Sequence, residues 1–456
     1  MKKMTFAIYF SKKYNVYLKN SEEFLPYMNP QFYFYNYDTS LLEKINMLQA
    51  KLNYLIQALS NGSYFDIKSV LFNSLNTINI SYIRNDLLFI KYLLESIEST
   101  EKTENKKEVL YISSVINNIC TKKKAHIFEV LFIIKYIYQL LHNYVDLFDL
   151  KNRTKIINVK TRAMENLNDL PATVSPILLS LKGYVSNNLK DYIVDFYIHG
   201  SISTKDFTKF SDLDTAIILK DDTLLDIDKF ARFLKSNFRS IKYCYQFNLL
   251  HHHGHYILTE RDLQYYNQAV LPAEVFRYST PLFGNEEIRF NVRDSTFEHF
   301  SLVWNVIQYF RRSYVLHFKN INNMYKFRFF VATILFLPVI FLETKGIYVY
   351  KKYSFDLAKR YFSTEEWEAV EIASEFWRNW DYKPPFLVRL SSIISLRLMH
   401  NYKIFDSFLA NYPSKLPSSI QKTISREKFF EKSIIFSEAI ADDLYHSFIK
   451  LWRWNR

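Results

Sequence analysis

Two short stretches decide how this chain reads: Tyr197-Ile198-His199-Gly200-Ser201 and, ten residues after Ser201, Asp212-Leu213-Asp214-Thr215-Ala216-Ile217-Ile218. Each contains an apolar run of strand character. One ends in a glycine-serine pair and the other begins with two acids. Side chains on a strand alternate between faces, so Asp212 and Asp214 are expected side by side. Two carboxylates that close repel each other unless a cation lies between them. Mg²⁺ is the expected ion, since it is hard and takes carboxylates and phosphates together. Gly200 lets the backbone approach a ligand without a Cβ clash. The turn before a helix start exposes N–H groups to a phosphate, and the Ser201 hydroxyl adds a donor.

Working outward, Ser175-Pro176 reads as an N-cap followed by proline at the first helical position. Ile177, Leu181, Val185 and Leu189 line one face of that helix. Tyr192 to His199 is expected as a strand, Thr204 to Lys209 as a turn of helix, and Leu213 to Leu219 as a second strand. Asp226 to Phe238 has the spacing of an amphipathic helix, and a third strand is expected within Phe247 to Thr259. This is the only part of the chain with an α/β pattern.

The pattern resembles the nucleotidyltransferase superfamily, the class of the DNA polymerase β core. Its signature is an apolar strand, Gly-Ser, roughly ten residues, then Asp-hydrophobic-Asp, and the flanking elements match over about 100 residues. The resemblance implies a metal-dependent enzyme that moves a nucleoside monophosphate from an NTP to an acceptor hydroxyl. It implies that Gly200 and Ser201 hold the triphosphate and that Asp212 and Asp214 hold Mg²⁺ or Mn²⁺. The acceptor is left open among RNA, a protein side chain and a small molecule.

One position departs from that pattern. The superfamily carries a third carboxylate on a following strand, whereas this chain has Asn248-Leu249-Leu250-His251-His252-His253-Gly254-His255-Tyr256-Ile257, with Glu260 and Asp262 further on. Glu260 or Asp262 supplies the acid if the strand runs later. Alternatively a histidine, His253 or His255, fills the slot as a base. A third alternative is a module that binds nucleotide or nucleic acid and has lost catalysis. On one strand His251, His253 and His255 would share a face. Imidazole suits Mn²⁺ or Zn²⁺ better than Mg²⁺.

The remainder is helical in character. The chain has 456 residues, 49% hydrophobic and 18% aromatic, with only 6 glycines and 11 prolines, which favours ordered domains built from long helices. Helical spacing is expected over Leu41–Leu59, Ile80–Ile97 and Phe128–Leu141, with a solvated connector over Ser99–Lys107. Capping boxes are expected at Ser295 and Ser363. The expected architecture is α+β: an N-terminal helical region over 1–165, a small mixed-sheet nucleotidyltransferase core over 170–290, and a C-terminal helical bundle over 291–456. Leu271 to Ser279 is expected to close the core, and Lys326, Arg328, Lys345 and Tyr348 are within conceivable reach of phosphate or base. Fourteen apolar residues from Phe329 to Leu342 fall short of a bilayer span, so no membrane span is expected. Cys120 and Cys244 are too few for a disulfide framework. With no signal-peptide pattern in the first residues, a cytoplasmic setting is expected. The balance of 59 Lys and Arg against 46 Asp and Glu, a net charge of +13, tilts the acceptor slightly toward RNA.

Overall fold

The computed structural model describes residues 40–101, 105–162, 174–269, 271–412 and 415–454. Four long helices come first: α1 (Leu41–Ser60), α2 (Ile80–Glu101), α3 (Lys106–Thr121) and α4 (Ile127–Leu147). Ser40 and Glu43 form a full capping box at the start of α1, satisfying two N–H groups that the first turn would leave bare. β1 (Thr77–Asn79) pairs with β2 (Lys124–His126), so the region is not purely helical. A further strand, β3 (Lys155–Lys160), falls within the span expected to be helical. It pairs antiparallel with β8 (Glu287–Val292), a partner more than 120 residues away that no local pattern announces.

The central sheet is built from β4 (Ile193–His199), β5 (Asp214–Leu219), β6 (Tyr256–Thr259) and the short β7 (Thr280–Pro281), in the order β6-β5-β4-β7. β4 runs antiparallel to β5 and β7, and β5 runs parallel to β6. The sheet is therefore mixed, and the molecule is α+β, a small mixed-sheet core flanked by helices. Alternation on the strands decides what each face meets. Phe196, Ile198, Ile217 and Leu219 enter the main core that runs through the helices. Tyr197, Ala216 and Ile218 face a second core made by Val159, Ile288, Phe290 and Phe276. Asp214 has the parity of Ala216 and Ile218, and His199 that of Tyr197. These two are register partners at the end of the sheet, where the second core gives way to a cleft.

α5 (Ser175–Asn188) precedes β4, with Pro176 in its first turn. The single turn α6 (Gly200–Ser203) follows β4 directly, earlier than the expected turn over Thr204–Lys209. α7 (Ile227–Ser240) follows β5, capped by the Asp226 side chain on the Lys229 N–H. Lys242–Phe247 is helical and β6 begins only at Tyr256, so the third strand is shorter and later than expected.

In the C-terminal part, α8 (Thr296–Val315), α9 (Met324–Glu343), α10 (Lys351–Lys359), α11 (Thr364–Arg378) and α12 (Phe429–Trp454) pack on one another, and α9, α10 and α11 reach the open end of the sheet. α9 is long and apolar enough to cross a membrane, yet 78% of its most apolar window is buried inside the fold. Ser363 forms its capping box on α11. Ser295 caps no helix N–H with its side chain; its hydroxyl accepts instead from the Gln268 N–H.

Candidate active site

β4 ends at His199, and Gly200 turns the chain with φ +71°, a left-handed value that side chains resist. A Cβ at this position would collide with the Asp214 carboxylate. The glycine therefore lets the turn and the acid approach each other. Asp212 lies just before β5 and Asp214 opens it, with Leu213 between them fully buried in the main core. Anchoring Leu213 inward turns both flanking acids outward to the cleft. Their side chains keep 16% and 27% exposure.

His251, His252 and His253 close around Asp212. His253 Nε2 lies 3.0 Å from Asp214 Oδ1 and 3.6 Å from Asp212 Oδ2. His252 Nδ1 and His251 Nδ1 lie 3.5 Å and 3.8 Å from Asp212 Oδ2. Ala216 pairs with Tyr256 in parallel, so the position beside Asp214 on the neighbouring strand falls near Gly254. Glycine offers no carboxylate there, and His253 reaches both acids instead. Gly254 also permits close contact with Asn61, whose side chain a Cβ would strike.

The other three candidates for the third position lie elsewhere. His255 faces the opposite side of the sheet, sealed between Thr215 Oγ1 at 2.6 Å and Ser240 Oγ at 2.8 Å. The segment before Tyr256 is not a regular strand, so the expected shared face of His251, His253 and His255 does not form. Glu260 sits at the far end of the sheet, accepting the Asp221 N–H at 2.9 Å. Asp262 is buried and accepts the Thr259 N–H at 2.8 Å.

Arg328 reaches the site from the first turns of α9 and is 0% exposed. Its guanidinium donates to the carbonyls of Phe210 and Leu250 and to His252 Nδ1 at 3.0 Å. It stands at longer range, 3.3 and 3.4 Å, from the Asp212 oxygens. Burial works to raise the Asp212 carboxyl, but Arg328 and then the three histidines outweigh it and hold the group well below the usual carboxylate range. Burial likewise opposes charge on His253. There the hydrogen bond and charge of Asp214, joined by Asp212, prevail and the imidazole is raised above its ordinary value. Burial dominates at His251 and His252 and keeps both neutral. Among the residues considered from sequence, Lys326 contacts Asn322, Lys345 pairs with Asp443, and Tyr348 bonds His299, so none of them enters the site.

The acids open onto a cleft of about 460 Å³, within the range of small-molecule sites. Gly200, Ser201, Asp212, Asp214 and His253 form one wall, and Phe336, Val339, Phe355 and Trp377 contribute an apolar one. Lys351 and Lys352 line it from the start of α10. The Thr204 hydroxyl meets the Tyr350 hydroxyl at 3.2 Å, and Lys352 pairs with Asp206 at 2.9 Å. Trp377 donates to Thr208 Oγ1 at 2.7 Å. The C-terminal helices are thus fastened to the loop between Gly200 and Asp212.

Sequence reading missed Lys351, which carries no local signal. It also set Arg328 aside as part of a solvated helix face, although an arginine inside an otherwise apolar helix was a usable clue, because such a charge is buried only with partners.

The structure is thus an α+β domain whose mixed sheet presents paired acids and a glycine turn to a lysine-lined cleft at one end. Residues 180–265 match the family model of the nucleotidyltransferase domain. The chain therefore carries a domain of the nucleotidyltransferase superfamily, and nucleotidyl transfer is that domain's general chemistry. No curated protein and no solved structure matches the chain.

Proposed function

We propose that this chain is an enzyme that transfers a nucleoside monophosphate from an NTP to an acceptor hydroxyl, with Mg²⁺ or Mn²⁺ held at Asp212 and Asp214. The observation that carries the reading is the shared outlook of the two acids and the Gly200-Ser201 turn onto one cleft. The carboxylates are hard donors of the kind both ions take, and the His253 nitrogen suits Mn²⁺. A divalent ion bound there would offset charge developing on the α-phosphate and the leaving pyrophosphate. Gly200 and Ser201 would hold the triphosphate, with Lys351 supplying a cation from the opposite wall. The aromatic wall suits a base. His253 takes the position of the missing third acid. The acceptor is RNA, a protein side chain or a small molecule; the net charge of +13 favours RNA modestly. Two free cysteines suit a cytoplasmic setting.

A specific observation favours a second reading. Arg328 and three histidines surround Asp212, and no third carboxylate faces the pair among the described residues. That is the arrangement expected of a module that binds nucleotide or nucleic acid without turning it over.

Incubation with each of the four labelled NTPs, Mg²⁺ or Mn²⁺, total RNA, cell protein and a small-molecule extract separates the two. Transfer of label that falls by about 10³-fold or more in an Asp212→Asn, Asp214→Asn variant supports the enzyme. Metal-dependent nucleotide binding with no labelled product supports the binding module.

A further inference from the structure

His251 is 0% exposed, and neither of its ring nitrogens has a hydrogen-bond partner among the described residues. A buried imidazole without partners loses the hydration of two polar atoms and gains nothing in return, so this one requires a reason. The nearest polar group is the Asp212 carboxylate, at 3.8 Å from Nδ1. That is beyond a hydrogen bond. His253 Nε2 stands off from the same oxygen at 3.6 Å. One donor atom each from Asp212, His251 and His253 falls within 4.8 Å of the others. Two ligands about 2.1 Å from one ion are separated by roughly 3.0–3.5 Å, so the two Asp212–histidine separations are close to those of a shared metal, and the set as a whole closes on an ion by contracting from within 4.8 Å.

The hydrogen bonds around the imidazoles assign the ligands further. His253 Nδ1 meets the Gly254 carbonyl at 2.9 Å, which fixes that nitrogen as a donor and directs Nε2 toward the acids. Metal-bound histidines are held in this way. His252 Nδ1 accepts from Arg328 at 3.0 Å, so its lone pair is engaged and it is a supporting residue. Nitrogen donors do not suit Mg²⁺, which requires oxygen.

We infer that Asp212, His251 and His253 bind one divalent transition ion that accepts imidazole nitrogen, of the Mn²⁺ to Zn²⁺ class. This deepens the proposed transfer reaction and rests on it for the role of the ion, although binding itself is testable alone.

The full chain, freed of metal with a chelator, is titrated with Co²⁺ and followed by its visible absorption. One equivalent is expected to bind with the intense bands of a nitrogen-ligated site of low coordination. His251→Gln and His253→Gln should each weaken binding by about tenfold or more, since even changes to supporting residues cost 10- to 100-fold. Glu260→Gln, at the far end of the sheet, should leave it unchanged. Circular dichroism of the metal-free variants establishes that they fold. Pulsed electron paramagnetic resonance of the unmodified chain loaded with Mn²⁺ needs no variant, and coupling to ¹⁴N is expected. All-oxygen coordination of Mn²⁺, or Co²⁺ affinity unaffected by both folded histidine variants, overturns the inference. Transfer supported by Mg²⁺ alongside either of those results would leave the proposed function standing. A nitrogen-ligated ion with no product from any NTP would uphold the site and remove the reaction.

Discussion

Asp212 owes its charge to Arg328, yet the guanidinium makes its shortest bonds to the Phe210 and Leu250 carbonyls and to His252. It acts as a brace between α9 and the loops on either side of the acid pair. Replacing Arg328 with Met removes the charge and keeps the apolar stem. It leaves Asp212 with no arginine beside the neutral imidazoles of His251 and His252, and two carbonyls without a donor. Chemical denaturation is expected to show a loss of about 3 kcal/mol, the low end for breaking a buried pair because Asp212 retains some solvent contact. A loss below about 1 kcal/mol would show that the brace does not matter. Gly200 is constrained differently, by its positive φ and by the Asp214 carboxylate against its Cα. Gly200→Ala should cost about 1–3 kcal/mol in stability and displace Asp214, measured by the same denaturation and by loss of label transfer. At this scale the acids and the glycine turn were legible, because strand alternation and spacing are local facts. Arg328 was not, since its partner Asp212 lies 116 residues away in the chain.

Among the elements, β6 stands at one edge of the central sheet. The last turns of α1 cover it. The Gln57 amide donates to the His255 carbonyl and accepts from the Ile257 N–H at 2.6 Å, and Asn61 donates to the same carbonyl at 3.2 Å. One buried side chain thus supplies the hydrogen bonds that a neighbouring strand would otherwise make, and it fixes the start of β6 where the histidine loop ends. Gln57→Leu strands the Ile257 N–H, leaves the His255 carbonyl to Asn61 alone, and should destabilise the chain by about 1–3 kcal/mol. Hydrogen exchange should show the Ile257 amide losing protection more than the amides of β4. Equal loss in both strands would mean that Gln57 supports the whole fold rather than the edge. α1, α2, α4 and α7 were readable from periodic apolar spacing, and α9 from its continuous apolar run. β6 lies within the span expected for a third strand, but its start was not legible, and β3 was not legible at all. The pairing of β3 with β8 is long-range, and Gly254 with four neighbouring histidines gives the stretch before β6 neither period.

At the scale of the whole molecule, burial acts on several imidazoles together. It lowers His199 to about 4, and His142 and His255 to about 3, and it pushes His251 and His252 well below the ordinary value. A folded-state pKa below the unfolded value means that the unfolded chain binds more protons as pH falls. The stability these neutral groups confer is complete above about pH 6.5 and declines below it, by up to roughly 1.4 kcal/mol per pH unit for each histidine. His253, raised by Asp214 and Asp212 against its burial, contributes with the opposite sign, its share being lost as pH rises through its folded value. Burial raises the carboxyls of Asp195, Asp262 and Glu343, which oppose the histidines at lower pH. The clear window is therefore pH 6.5 to 5. Thermal melts there are expected to show a falling transition temperature; a flat or rising one would contradict the burial of these groups.

The proposed reaction requires the cleft to grip a metal-bound triphosphate through Asp212 and Asp214. Equilibrium binding of non-hydrolysable, labelled nucleoside triphosphates, with and without Mn²⁺, tests this directly. The expected result is metal-dependent binding that weakens by about tenfold or more in the Asp212→Asn, Asp214→Asn variant, while Asp221→Asn at the far end of the sheet binds as the unmodified chain does. Binding that ignores the metal, or that is the same in all three proteins, would contradict it.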